Sequence, residues 1–386
     1  MGLAELQGPR PARARLQILV VHASTGGGHK AAALALAKAF SLAGCDVEIL
    51  DALDYMTPGF ATCYRGLFEG LVNNVPAAWG AAYAATKNLD LVPGAKGLSG
   101  LANGLSGQGL AKRMQGRDAI VCTHFLPLDV ALNEKRSGRI TAPVHAVVTD
   151  YAAHGAWRRP EADLTFCAPG RAVSDLASGG VTRIVQSGIP IDLDYARPYD
   201  QHEAKVATRL RLDKPTVTLL AGGAGLGPLV SVMTETAKAL RGAAEIVVVC
   251  GKNEQVKKEA EAAAAKVPGP IRVLGFVSPI IGLLRASDVV VTKPGGLTTS
   301  ECLALGKAIV FYEAMPGQEA ENARHVVAHA AAVDGGDPKR AASAVVDLVR
   351  NHDRRHALGY RARSISRPTA ALMIARAVVS KLTAGR

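Results

Sequence analysis

Residues 16–40 and 216–240 share one pattern: an apolar run, a glycine-rich turn, then a stretch of helix formers. In the first copy "LQILVV" passes through "HASTGGGHK" into "AAALALAKAF"; in the second "TVTLL" passes through "AGGAGLGP" into "LVSVMTETAKAL". Each copy is followed by more short β-rich runs, such as "AIVCTHF" and "VHAVVTD" in the first half and "EIVVVCG" and "DVVVTKPGG" in the second. Apolar runs of this length, separated by helix-length segments, indicate buried parallel strands of an α/β fold. A chain of 386 residues has room for two such cores. The pattern therefore predicts two Rossmann-like domains, residues 16–190 and 213–365, joined by a proline-bearing linker at 191–212. Residues 1–15 read as a flexible extension, and 366–386 as an amphipathic helix that either caps the second domain or crosses back to the first. In such sheets ligands bind at the carboxyl ends of the strands, so both glycine turns should face a central cleft.

Residues 57–110 break the pattern. They carry Phe60, Tyr64, Phe68, Trp79 and Tyr83 among repeated Gly and Pro, and read as an insertion that either packs on the domain or forms a lipid-facing lip. The formal charge of +12 points to an anionic partner, but only 4% of residues are aromatic and no basic stretch is interleaved with them. That argues against nucleic acid and for a phosphorylated ligand or an anionic membrane surface. The six cysteines are scattered without a C-x-x-C pair, as expected of buried thiols in a reducing compartment. The N-terminus lacks a signal peptide's apolar core, and no apolar run reaches the roughly 18 residues needed to span a bilayer. The expectation is a cytoplasmic protein, peripheral on the cytoplasmic face of a membrane; nothing in the sequence speaks to oligomeric state.

The glycine turns fail two familiar tests. A phosphate-binding Walker loop needs Lys then Ser or Thr, but Lys30 follows His29 and precedes Ala31; in "GGAGLGP" the third glycine of the dinucleotide fingerprint is out of place. A third element is more informative. "TKPGGLTTSECLALG" follows the strand "DVVV" with a turn that opens a helix, so free N–H groups and the helix dipole would face a diphosphate. Glu301 lies inside that helix, where a carboxylate can accept from a ribose hydroxyl. Beyond it, "PGQEAEN" supplies Gln318, Glu319 and Asn322, amide and carboxylate groups suited to sugar hydroxyls.

With "GGGHKAAALAL", "VVTDYAAHGAW", "GGAGLG", "CGKNE", "GFVSPI", "TKPGGLTTSE" and "PGQEAENA" in order over about residues 16–325, the chain resembles the monogalactosyldiacylglycerol synthase and processive diacylglycerol glucosyltransferase family, kin to MurG. The resemblance implies a GT-B fold, inversion at the anomeric carbon, a UDP-hexose donor (glucose or galactose), a diacylglycerol acceptor, and neither cofactor nor catalytic metal. It also implies that backbone N–H groups near Gly222, Gly223, Gly295 and Gly296 hold the UDP phosphates, and that Phe276 and Val277 frame the uracil. Glu301 would bind the ribose, and Gln318, Glu319 and Asn322 the hexose, beside the backbone of Leu297 and Thr298. The "DLD" at 192–194 resembles a metal-binding D-x-D but lies in the linker, and the histidine pairs 325/329 and 352/356 read as helix-surface residues.

His29 then has a role. An inverting transfer must remove a proton from the attacking hydroxyl, and an imidazole of ordinary pKa about 6.5 suits that near neutral pH. At a helix N-terminus the dipole favours its neutral, basic form. A capping or anion-binding role for His29 is the alternative, and Asp150 and His154 are the next candidates for the base. Trp157 is expected to pack. Three rival functions remain at this stage: transfer to a polyprenyl-linked acceptor, a UDP-sugar epimerase on the same fold, and a ligand-binding regulator without turnover.

Overall fold

The structure, a computed structural model, describes residues 15–24, 27–59, 61, 62, 64, 108–222, 225 and 227–384. Most of the 57–110 insertion, with Phe60, Phe68, Trp79 and Tyr83, lies outside the described residues, as do Gly223 and the first fourteen residues.

Two six-stranded parallel sheets form the frame. The first contains β1 (Gln17–His22), β2 (Asp46–Asp51), β3 (Ala119–Cys122), β4 (Val144–Val147), β5 (Leu164–Cys167) and β6 (Ile184–Gln186), in the order β2-β1-β3-β4-β5-β6. The second contains β7 (Thr216–Leu220), β8 (Glu245–Val249), β9 (Ile271–Leu274), β10 (Val289–Thr292), β11 (Ala308–Tyr312) and β12 (Val333–Gly336), in the order β12-β11-β10-β7-β8-β9. Each order reverses direction beside the strand that leads into the glycine turn: between β1 and β3 in one sheet, between β7 and β10 in the other. These switch points open crevices at the carboxyl ends of the strands.

The strands are apolar without alternation because both faces are covered. Leu19 and Val21 of β1 contribute to one core cluster, Ile18 and Val20 to another on the opposite face, and all four are fully buried. Each such side chain stabilises the fold by about 1.5–3 kcal/mol relative to an exposed one. The second opposite-face cluster includes Ala371, Ile374, Ala375 and Val378 of the last helix, Ala370–Ala384. That helix therefore crosses back onto the first domain, and Lys381 Nζ donates to the Asp163 carbonyl there (3.1 Å). The linker is anchored as well: Lys38 pairs with Asp192 (2.9 Å) and Asp194 (3.4 Å), and Tyr199 lies under the Lys307 and Arg285 cations. Asp192 also caps its own turn by accepting from Asp194 N. The carboxylates of "DLD" are thus held by a lysine and a backbone N–H. Cys45, Cys122, Cys167, Cys250 and Cys302 are buried free thiols, and Trp157 is buried in the first core.

Candidate active site

The helix Gly27–Leu42 follows the first glycine turn and places His29 in its first turn. His29 Nδ1 lies 2.7 Å from the Thr123 carbonyl and 3.2 Å from Thr149 Oγ1, while Thr123 Oγ1 donates back to the His29 carbonyl (3.0 Å). A carbonyl can only accept, so Nδ1 carries the ring proton and Nε2 is left as the basic nitrogen. Burial, together with nearby His22, drives the imidazole down to about 4 against the raising effect of Thr123, so His29 is neutral at neutral pH.

His124 and His154 gather around it. His124 packs edge-on at 4.6 Å between ring centroids, and Phe125 lies between His124 (4.1 Å) and His154 (5.1 Å). Both flanking histidines serve the backbone: His124 Nδ1 accepts from Leu126 N (3.0 Å) and His154 Nδ1 from Ala156 N (3.3 Å). This corrects the reading of His154 as a base. Its Nδ1 lone pair is committed to a helical turn, its proton sits on Nε2, and burial holds it down at about 3.

Asp150 reaches across the cleft as well. Its Oδ1 accepts from Asn322 Nδ2 across the cleft (2.9 Å), and burial raises its carboxyl above the ordinary range. Asn322 donates in addition to the Pro294 carbonyl (3.0 Å) and accepts from Tyr151 N (2.8 Å) through Oδ1. Fully buried, with both N–H groups used inside the protein, it has no donor left for a hexose. The expectation for Asn322 is corrected accordingly: here it joins the domains. His325 departs from expectation too, since its ring stacks on Tyr151 at 4.8 Å between the domains instead of lying on a helix surface.

On the donor side, the helix Gly296–Ala304 begins at Gly295, and the helix Gln318–Ala328 begins at Gly317. A Cβ added to Gly222 or Gly295 meets nothing within 4 Å, whereas one on Gly296 falls 2.0 Å from the Thr149 carbonyl, and one on Gly28 falls 3.3 Å from Leu297 Cδ2. Gly222 and Gly295 thus leave room for a ligand, while Gly28 and Gly296 let the domains approach. Phe276 is exposed beside Lys252, whose Nζ is 5.4 Å from the ring centroid, and Val277 is half-buried against the second domain's core. Thr298 and Gln318 are half-buried. Glu319 accepts from Met315 N (3.0 Å), and its raised carboxyl reflects burial, opposed by the Lys293 charge. Lys293 went unassigned in the sequence. It crosses Gly227, where a Cβ would lie 3.2 Å from Nζ and equally 3.2 Å from Glu313 Oε2, and so brings a cation, with a carboxylate beside it, to the second glycine turn. The available signal was its place directly before "PGG".

Glu301 faces the linker. Tyr195 and Asp192 are its neighbours, and burial raises its carboxyl to about 7. Among the described residues no group of three or more His, Cys, Asp or Glu side chains is placed to hold a metal ion, and no helix is long and apolar enough to cross a membrane.

Residues 29–191 match the monogalactosyldiacylglycerol (MGDG) synthase family, and residues 227–365 match glycosyl transferases group 1. Each half of the chain is thus similar to a glycosyltransferase family. It is 30% identical over 222 residues to the processive diacylglycerol beta-glucosyltransferase of Bacillus cereus (strain AH187), a match covering 57% of each chain. It is 31% identical over 206 residues to the enzyme of the same name from Bacillus licheniformis, covering 53% of each. The matched region thus spans little more than half the length of these relatives. The fold is GT-B: MurG from Acinetobacter baumannii superimposes with a TM-score of 0.63 at 18% identity, covering 95% of this chain and 99% of that one. The UDP-GlcNAc 2-epimerase of Neisseria meningitidis, bound to UDP-GlcNAc, superimposes with a TM-score of 0.58 at 12% identity, covering 95% and 100%. Transferase and epimerase share this frame, so the fold alone does not choose between them.

Proposed function

We propose that the protein is an inverting glycosyltransferase that moves a hexose from a UDP-sugar to the hydroxyl of diacylglycerol at a membrane surface. The observation that carries this reading is the His29 imidazole, fixed by Thr123 and Thr149 with Nε2 unprotonated, in the domain that matches the MGDG synthase family. In the proposed reaction the acceptor oxygen attacks the anomeric carbon as its proton passes to His29 Nε2. The bond between that carbon and the β-phosphate oxygen breaks, and UDP leaves with the electron pair.

The donor site is composed of separate contributions. Gly222 and Gly295 leave space for the diphosphate, with the helix N-terminus at Gly296 and the Lys293 cation to balance its charge. Phe276 offers a ring face for the uracil, and Gln318 and Glu319 are left to read the hexose. The activity for which the relatives are named and the first domain's match favour diacylglycerol as acceptor. The charge of +12 and the aromatic insertion supply docking on the cytoplasmic face of an anionic membrane. Incubation with labelled UDP-glucose or UDP-galactose and vesicles, with and without diacylglycerol, tests the whole reading. Label in glycolipid only when diacylglycerol is present supports it. Label transferred only to a polyprenyl phosphate acceptor, or an epimerised nucleotide sugar without lipid, overturns it.

A further inference from the structure

Three consecutive residues after β4 make an unusual set of contacts. Thr149 presents its carbonyl to Gly296 so closely that a Cβ there would lie 2.0 Å away, while its hydroxyl touches His29 Nδ1 (3.2 Å). Asp150 accepts from Asn322 (2.9 Å). Tyr151 donates its N–H to Asn322 Oδ1 (2.8 Å), stacks on His325, and places its hydroxyl 2.8 Å from Ser300 Oγ. Ser300 donates to the Gly296 carbonyl (2.7 Å), so in this pair the tyrosine is the donor. Every one of these partners except His29 belongs to the second domain. The same short turn therefore grips the donor domain and touches the imidazole of the acceptor domain.

We infer that the turn Thr149–Tyr151 is a coupling element that sets the orientation of His29 according to whether the donor domain is closed on it. Asp150, Tyr151, Ser300 and Asn322 are positioning residues that act through Thr149. The inference rests on the proposed role of His29 as base. Its physical basis is the register of the contacts. With the Asn322 and Ser300 ties made, the Thr149 carbonyl is pinned on the Gly296 helix start and its side chain is held against Nδ1. With them broken, the turn keeps only its packing on the second domain, the Tyr151–His325 stack and the Thr149–Gly296 contact, and no directional bond holds it in register. A base displaced by about 1 Å can lose on the order of a hundredfold in rate.

The test is a mutant cycle with Asn322→Ala, Tyr151→Phe and the double variant, read by turnover, UDP calorimetry and small-angle X-ray scattering. Asn322→Ala is expected to lower kcat by about tenfold to a hundredfold, with the UDP Kd within about twofold of wild type. Tyr151→Phe should have a smaller effect in the same direction. The double variant should lose less than the product of the singles, since both break one closed state. Scattering should show a larger radius of gyration for each. Strict additivity, or an unchanged radius of gyration with the loss confined to the KM for UDP-hexose, overturns the inference and returns Asn322 to the sugar. Should Asn322→Ala fail to fold, Ser300→Ala with Tyr151→Phe carries the same cycle. If the wild type transfers no sugar, the proposed function fails separately. The coupling is then judged by scattering and by whether the His29 ring NMR signals shift in Tyr151→Phe; unmoved signals overturn it.

Discussion

The two glycine turns begin from the same local pattern and end in opposite uses. At the first, Gly28 sits against Leu297 of the other domain, and the helix it opens carries a histidine locked by two threonines. At the second, Gly222 is exposed with open space where a side chain would be, and Lys293 lies across Gly227. At Gly28 the first turn meets the other domain and delivers a neutral base; at Gly222 the second leaves a gap, with Lys293 and the Glu313 carboxylate crowding Gly227 beyond it. The helix start at 295–296 repeats the contrast within two residues, since Gly295 faces open space and Gly296 faces a carbonyl. Glycine alone does not announce a phosphate site. What decides its meaning is the atom that stands where its side chain would be.

The sharpest way to break this comparison is to put a methyl group on each member of the pair. Gly296→Ala drives a carbon into the Thr149 carbonyl, so the domains must separate, and turnover should fall by about a hundredfold. Circular dichroism should show the fold intact. Gly295→Ala should leave scattering unchanged and act only through UDP affinity; equal effects from both substitutions would erase the distinction. Next in size, Lys293→Ala should weaken UDP by about tenfold to a hundredfold, the range for a lost hydrogen bond to a charged group, as read by calorimetry. An unchanged Kd would remove Lys293 from the donor site.

A smaller effect concerns pH. His29, His145 and His325 are depressed to about 4 and His154 to about 3, in each case chiefly by burial. The two ring nitrogens of His145 have no hydrogen-bond partner among the described residues. Unfolded, these imidazoles take up protons near pH 6.5, so the unfolded state binds more protons below that pH. Stability should therefore be fully present above pH 6.5 and decline as pH falls toward 4, measured by denaturant titration at stepped pH. His145→Phe should flatten part of that decline. The rate of transfer should hold down to about pH 5 and fall as pH approaches 4, where His29 protonates. A rate that instead halves near 6.5 would place the base in a solvated setting. Smallest of all, Asp194→Asn should leave the rate and its response to EDTA nearly unchanged, because Asp194 serves Lys38 in the linker.

The sequence showed the frame well because buried parallel strands are written as β-branched runs, and helix starts as turns followed by helix formers. "DVVV" before "TKPGG" is strand β10 and the helix start at Gly295, as local rules suggest. What could not be read was pairing over distance. Asp150 and Asn322 are separated by 172 residues and meet only because two domains close. Each looked like a site residue by type, and each is a partner of the other. His154 misled for a related reason: a histidine in a polar loop reads as chemistry, but its lone pair was needed to cap the turn Gly155–Trp157. Lys293 was visible but had no partner in sequence to give it meaning, since its neighbour Gly227 comes from another loop.

The central claim is that His29 is the base of an inverting transfer, and the most direct measurement follows both product and proton acceptor. NMR of the glycolipid made from an α-linked UDP-hexose, by wild type and by His29→Ala, reports the anomeric configuration and the rate together. The account predicts a β-linked product from wild type. It also predicts a rate lower by about a hundredfold or more in His29→Ala, with UDP affinity preserved. An α-linked product, or a His29→Ala enzyme that keeps near-normal turnover, would contradict it.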